Sequence, residues 1–296
     1  MSGVLPVLAG AATGIFVGST MVATRFVIEQ TDPASLALLR YAVGVLCLAP
    51  PIALAARVRF ARRDLLPIAL LGIGQFGILI ALLNYGLQYI GSALGALIFT
   101  TFPLFAMALG ALLGRESLSA AKTAGVLLTI LGVGLALSEK LSAPEQGAWI
   151  GIAAVFASAF TGGLCSVFYR PYLEKYPPLN IGGFAMLASV AFLAVPAAGE
   201  GFFAAVPEFT PGGWAAVLFI GVSSGVGYYL WLWALKHSTP TRVSMFLALS
   251  PITATALGAG LLGERITVYF LLGVLCVVTG LWLAHWTPRG ETHEPA

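Results

Sequence analysis

Arg40 is the one charged side chain lying well inside an apolar stretch of this chain. A guanidinium is always ionised and presents a planar fork of donors, so at such a depth it would favour a carboxylate ligand. A functional role is the first reading of a charge buried in this way. The alternative is a side chain that snorkels to the nearer surface and pairs with Glu29 or Asp32. Gln75 is a second polar group in an otherwise apolar run, and its amide needs a substrate or a neighbouring helix as partner. Phe16, Phe76, Phe99, Phe102, Phe156, Phe160, Tyr228, Tyr229, Trp231 and Trp233 supply aromatic surface near these positions. Aromatic walls with a few polar groups suit an amphipathic solute such as a large neutral amino acid. The same rings can instead face lipid, the reading that fits Tyr85, Trp149, Trp214, Trp282 and Trp286.

Other chemistry lacks its residues. His237, His285 and His293 are scattered, Cys47, Cys165 and Cys276 have no ligand or redox spacing, and neither His-Glu-x-x-His nor a glycine-rich phosphate loop occurs. No enzyme activity, metal or cofactor is expected. No Asp, Glu or His falls mid-stretch, so no proton or sodium relay can be named. Glu116 and Glu264 sit at stretch ends, where they cap helices or pair with Arg115, Lys122 or Arg265 to close gates.

The elements that must position these groups follow from composition. With 59% hydrophobic and 9% charged residues, the chain has too little charge to cover a water-soluble surface, so its expected surroundings are a lipid bilayer. Charges cluster between apolar runs long enough to span: 4–24, 34–56, 65–87, 91–113, 121–138, 147–169, 178–198, 211–235, 241–262 and 266–286. The runs are continuous and do not alternate, which predicts an all-α membrane protein of ten helices and excludes a barrel. The first span is too long for a cleavable signal and lacks its basic leader, so it is expected to be retained. With the N-terminus cytoplasmic, inner loops hold Arg57, Arg59, Arg62, Arg63, Arg115, Lys122, Arg170, Lys175, Lys236, Arg242 and Arg289, and outer loops only Arg25, Lys140 and Arg265. That bias places both termini in the cytoplasm. The net charge of +3 reflects the same bias and gives no reason to invoke nucleic acid.

The second half repeats the first. A shift of 148 residues carries Tyr85 onto Trp233, Pro103 onto Pro251, Gly110 onto Gly258, Glu116 onto Glu264, Gly125 onto Gly273 and Gly132 onto Gly280. Earlier in the chain a shift of 145 carries Gly18 onto Gly163, Arg25 onto Arg170, Pro33 onto Pro178 and Pro51 onto Pro196. The expected division is therefore 1–144 and 145–296, five helices each. An odd number of spans per copy inverts the second copy in the bilayer, as in secondary transporters whose substrate sits at mid-membrane between the halves.

The repeat points to the fourth and ninth spans as the lining. Ala96, Thr100, Pro103 and Met107 share one helical face, and Ser244, Ala248, Pro251 and Thr255 share its counterpart; close packing of small residues is the other reading. Pro103 and Pro251 free a carbonyl one turn back, around Phe99 and Leu247, giving kinks that serve as gate hinges or as plain curvature. Spans three and eight add Gln75, Leu79 and Leu82, and Ser224, Tyr228 and Trp231. The expected substrate contacts are thus Phe16, Gln75, Phe76, Leu79, Phe99, Thr100, Phe160, Tyr228, Trp231, Ser244 and Leu247, with Pro103, Pro251, Arg40, Glu116 and Glu264 in gating. Gly10, Gly14 and Gly18 form a small-residue ridge on span one, and the glycines of spans five and ten pack within the bundle or in a homodimer.

These marks resemble a known family. Leu36 to Gly44, with Leu39-Arg40-Tyr41, is similar to the second-helix signature of the drug/metabolite transporter superfamily, in its ten-helix EamA-type exporter branch. Tyr85 to Gly134 and Trp233 to Gly280 both resemble the branch's pattern of an aromatic, a central proline, a Gly/Glu helix end and glycines in the next helix. Those residues are Pro103, Gly114, Glu116, Gly125, Gly132 and Val133, then Pro251, Gly263, Glu264, Gly273 and Gly280. Phe16-Val17-Gly18-Ser19 departs from the usual Trp-Gly-Ser of the first helix. The resemblance implies a small-molecule carrier in the cell's inner membrane working by alternating access, commonly exporting amino acids. Uptake of a vitamin, nucleoside or drug-like cation is the alternative, with a channel or scramblase behind it.

Overall fold

The computed structural model describes residues 4–55, 58–114, 119–142, 147–205, 207–237 and 246–284. Among them the regular structure is helical, with no strand, the solution expected where hydrocarbon leaves the backbone no other hydrogen-bond partners. The helices are α1 (Val4–Val27), α2 (Pro33–Leu54), α3 (Arg62–Leu87), α4 (Ser92–Leu112), α5 (Ala120–Ser142), α6 (Ala148–Lys175), α7 (Pro178–Gly199), α8 (Pro211–His237), α9 (Leu249–Leu262) and α10 (Val268–Ala284). Among the described residues, seven are long and apolar enough to cross a membrane: α2, α3, α4, α5, α6, α7 and α8; α9 and α10 are shorter apolar helices. Proline at the start of α2 and α7 supplies a preset φ where its missing N–H costs nothing.

Two helices are irregular in their middles. In α3 the backbone widens into a π turn over Ile73–Ile78, a distortion frequent at functional sites. In α4 the segment Ser92–Phe99 ends and Phe102–Leu112 resumes with Pro103 in its first turn. The break sits at Thr100 and Thr101, whose hydroxyls donate to the carbonyls of Leu97 and Ile98. A 3₁₀ turn, Phe246–Ala248, leads into α9 and Pro251. Moved back by 148 residues it falls on positions 98–100, so both halves carry an irregular turn just before their proline.

The packing follows the small residues. α1 lies against α8 and α9, α2 against α7 and α8, α3 against α6 and α7, and α5 against α10. Gly18 faces the Ser250 carbonyl and Thr253 so closely that a Cβ would collide, which makes the glycine ridge of α1 a contact with α9. Gly132 and Gly273 each face the other's carbonyl, so these glycines of α5 and α10 are spent inside the bundle.

The repeat is also visible in direction. Glu200 at the end of α7 bonds the start of α2, and Glu264 just past α9 bonds the start of α4. In these two pairs, α2 with α7 and α4 with α9, the helix of the second half therefore ends where its counterpart begins.

Candidate functional site

The start of α2 is fixed from outside. Glu200 accepts hydrogen bonds from Ala34 N at 2.9 Å, Ser35 N at 2.7 Å and Ser35 Oγ at 2.7 Å, supplying the partners that a helix N-terminus lacks. Two turns on, Arg40 Nε donates to Ser224 Oγ of α8 at 2.7 Å, and Ser224 Oγ donates to the Ile220 carbonyl at 2.6 Å. The guanidinium carbon lies 5.8 Å from the centroid of the Tyr41 ring. Among the described residues no carboxylate stands within ion-pair distance of Arg40, and Glu29 pairs instead with Arg25 at 2.7 Å.

From Tyr41 an aromatic chain crosses three helices. Its ring meets Phe76 of α3 edge-on at 5.3 Å, and Phe76 meets Tyr228 of α8 edge-on at 5.1 Å. Phe76 is buried, carried on the π turn beside Gln75. Three buried polar atoms on α3, α6 and α7 find no hydrogen-bond partner: Gln75 Oε1, Tyr169 Oη and Ser189 Oγ. Such orphans are rare in a folded interior and call for a ligand or water.

The other expected contacts are placed as follows. Leu79 is buried, and its carbonyl accepts from Ser158 Oγ at 2.7 Å. Phe99 stacks on Phe102 at 5.8 Å beside the α4 break, and the Thr100 hydroxyl is spent on its own helix. Phe16 packs over Gly227 of α8. Phe160 stands apart: it is 45% exposed, shares a stripe with the exposed Leu164 and Phe168, and meets Phe105 edge-on at 5.5 Å. Ser244 and Glu116 lie outside the described residues, as do the side chains of Trp231 and Leu247.

Pattern reasoning passed over Tyr41, Tyr169 and Ser189. Tyr41 stood next to Arg40 in the quoted signature, the signal that could have found it. Tyr169 carried no such signal; its counterpart under the shift of 145 is Thr24, whose buried Oγ1 is likewise unpartnered.

Glu264 does not pair with Arg265. Gly263 turns the chain through a left-handed conformation, φ 66°, so that the carboxylate folds back across the start of α4. It accepts from Ser92 N at 2.6 Å, Ser92 Oγ at 2.7 Å and Ala93 N at 3.0 Å. A cavity of about 400 Å³ opens at this end between Arg25, Phe26, Glu29, Gln30, Gly91, Leu262 and Glu264, away from the aromatic chain. At the opposite end Tyr176 donates to Asp64 Oδ2 at 2.7 Å, Lys175 approaches the same oxygen at 3.5 Å, and Ala61 N donates to Tyr176 Oη at 3.1 Å. Among the described residues no group of His, Cys, Asp and Glu could hold a metal.

A helical membrane chain with two antiparallel pairs of repeated helices, a half-buried arginine that no carboxylate meets among the described residues, a chain of aromatic rings and unpartnered buried polar atoms has the making of a solute carrier. The profile of the EamA-like transporter family matches residues 4–138 and again 149–286, and the chain belongs to that family. It is a multi-pass membrane transporter of the drug/metabolite superfamily, and not an enzyme. An uncharacterized transporter of Archaeoglobus fulgidus is 27% identical over 92% of this chain and 96% of its own length. A probable terminal-alkyne amino-acid exporter of Streptantibioticus cattleyicolor is 26% identical over 93% of this chain and 92% of its own. A probable amino-acid metabolite efflux pump of Salmonella typhimurium is 26% identical over 90% of each chain. A crystal structure 21% identical in sequence covers 94% of this chain and 96% of that one with a TM-score of 0.69, a likeness of fold.

Proposed function

We propose that this transporter exports amino acids, large neutral and aromatic ones foremost, across the inner membrane by alternating access. The reading takes ten spans, two inverted halves divided at residues 144 and 145, and both termini in the cytoplasm. The observation that carries it is the Tyr41–Phe76–Tyr228 chain, bordered by Arg40 and by Gln75 on the π turn. Rings at about 5 Å spacing offer apolar and π surface, and the guanidinium offers a partner for a carboxylate, with none in place among the described residues. Relatives named as an amino-acid exporter and an amino-acid metabolite efflux pump support the same class.

Access is controlled where α4 and α9 meet. Glu264 closes one end on Ser92, and the irregular turns before Pro103 and Pro251 let each helix pivot. With the cytoplasmic N-terminus assumed here, the Glu264 clasp is the outer one. The test is counterflow of labelled large neutral amino acids into proteoliposomes, with empty liposomes as control. Saturable exchange competed by aromatic and branched amino acids is the expected result; exchange competed by nucleosides or organic cations alone overturns the assignment.

A further inference from the structure

The polar groups beside the aromatic chain are not balanced in sign. Arg40 is positive and, among the described residues, has no carboxylate partner; its only side-chain hydrogen bond goes to neutral Ser224. No acidic side chain lies on the aromatic chain to receive an ammonium: the one buried carboxylate among the described residues, Asp64, is tied at the end of α3 to Tyr176 and Lys175. The unpartnered polar atoms on the adjoining helices are neutral: the carbonyl oxygen of Gln75, next in sequence to Phe76 on the π turn, and the hydroxyls of Tyr169 and Ser189. An amide oxygen only accepts, so Gln75 Oε1 calls for an O–H or N–H donor and does not require a charge.

We propose that the carboxylate is the obligatory group of the substrate and the amine is not, so that the site takes α-hydroxy acids as well as α-amino acids with apolar side chains. This rests on the reading of the aromatic chain as the transport site. The carboxylate docks on the Arg40 guanidinium, whose Nε is held by Ser224. The α substituent, amino or hydroxyl, donates to Gln75 Oε1. The side chain lies along Tyr41, Phe76 and Tyr228. An α-oxo acid has no donor for Gln75 and binds more weakly. An amino-acid amide or a simple aryl amine leaves Arg40 without its anion and is excluded, the usual strong penalty when a site built for one polar group meets an analogue lacking it.

The experiment uses the full chain in proteoliposomes with phenylalanine, 3-phenyllactate, phenylpyruvate, phenylalaninamide and phenethylamine as probes. The expected order is phenylalanine and phenyllactate alike, phenylpyruvate about tenfold weaker, and the amide and amine without effect. Arg40→Gln raises KM for both acids about tenfold, with Arg40→Lys between. Gln75→Leu brings phenylalanine and phenyllactate to the level of phenylpyruvate and leaves phenylpyruvate unchanged, a selectivity that a merely structural role does not produce. Competition by the amide or amine equal to that of the acids, or no effect of Arg40→Gln on KM, overturns the proposal while the carrier reading stands. Failure of every probe to exchange, with protein that remains monodisperse, overturns the transport-site reading and this inference with it.

Discussion

Two contacts related by the internal repeat differ in kind. Under the shifts of 145 and 148, Arg40 corresponds to Ala185 and Ser224 to Phe76. In the α2–α8 contact the pair is polar, a guanidinium on a hydroxyl at 2.7 Å. In the α7–α3 contact the backbones themselves close up: a Cβ on Gly72 would come within 2.6 Å of Ala185 Cα. Duplication supplied one scaffold twice, and divergence made one copy of the contact chemical and the other mechanical. At the transport site proposed above, an unsymmetrical pair of this sort would hold a substrate in one orientation.

The largest effect should come from the mechanical side. Gly72→Leu drives a branched side chain into the Ala185 backbone, and such overpacking costs about 1–3 kcal/mol or more. Folded yield and thermal midpoint in detergent should both fall sharply; an unchanged midpoint would mean that α3 and α7 are not in close contact. The chemical side should behave oppositely. Arg40→Met removes a half-buried charge that no carboxylate meets among the described residues, so stability should hold or rise while counterflow falls at least about tenfold. Loss of both together would make Arg40 a structural residue and dissolve the contrast.

The two carboxylate clasps sharpen the comparison at a smaller scale. Glu200 corresponds to Ala55 and so has no acidic counterpart, whereas Glu264 corresponds to Glu116. Glu200→Gln and Glu264→Gln each weaken charge-assisted bonds to a helix start, by about 1–2 kcal/mol. Both should lower the thermal midpoint, but only Glu264→Gln should also change the maximal exchange rate, since it alone joins the two proline-broken helices. Equal transport by both variants would remove Glu264 from gating. Smallest of all, Tyr176→Phe deletes one bond to Asp64 and one acceptor for Ala61 N, a loss of about 1 kcal/mol that should appear in stability and leave KM alone.

Much of the scaffold could be read from residue pattern because apolar length and proline position are local quantities. The apolar runs 34–56 and 178–198 do coincide with helices, which open at Pro33 and Pro178, and Pro103 lies just past a break at Thr100 and Thr101. The π turn at Ile73–Ile78 leaves no such trace, since one widened turn barely alters the hydropathy of a helix. Glu264 had charged neighbours in sequence, yet its partners are the backbone N–H groups of Ser92 and Ala93, which every residue but proline carries and no pattern can single out. Phe160 shows the converse weakness. Aromatic type suggested a cavity wall, but only the packing of α6 decides which side of the helix a ring occupies.

At the break in α4 the hydroxyls of Thr100 and Thr101 turn back onto the carbonyls of Leu97 and Ile98 and stay within their own helix. Those two carbonyls also accept from the backbone N–H groups of the same threonines, so the hydroxyls double bonds that are already made. The carbonyl that Pro103 cannot serve is that of Phe99, one turn back, and neither hydroxyl is spent on it. The joint thus leaves one acceptor at mid-length for water or a solute group to satisfy, at the point where the two segments of α4 meet.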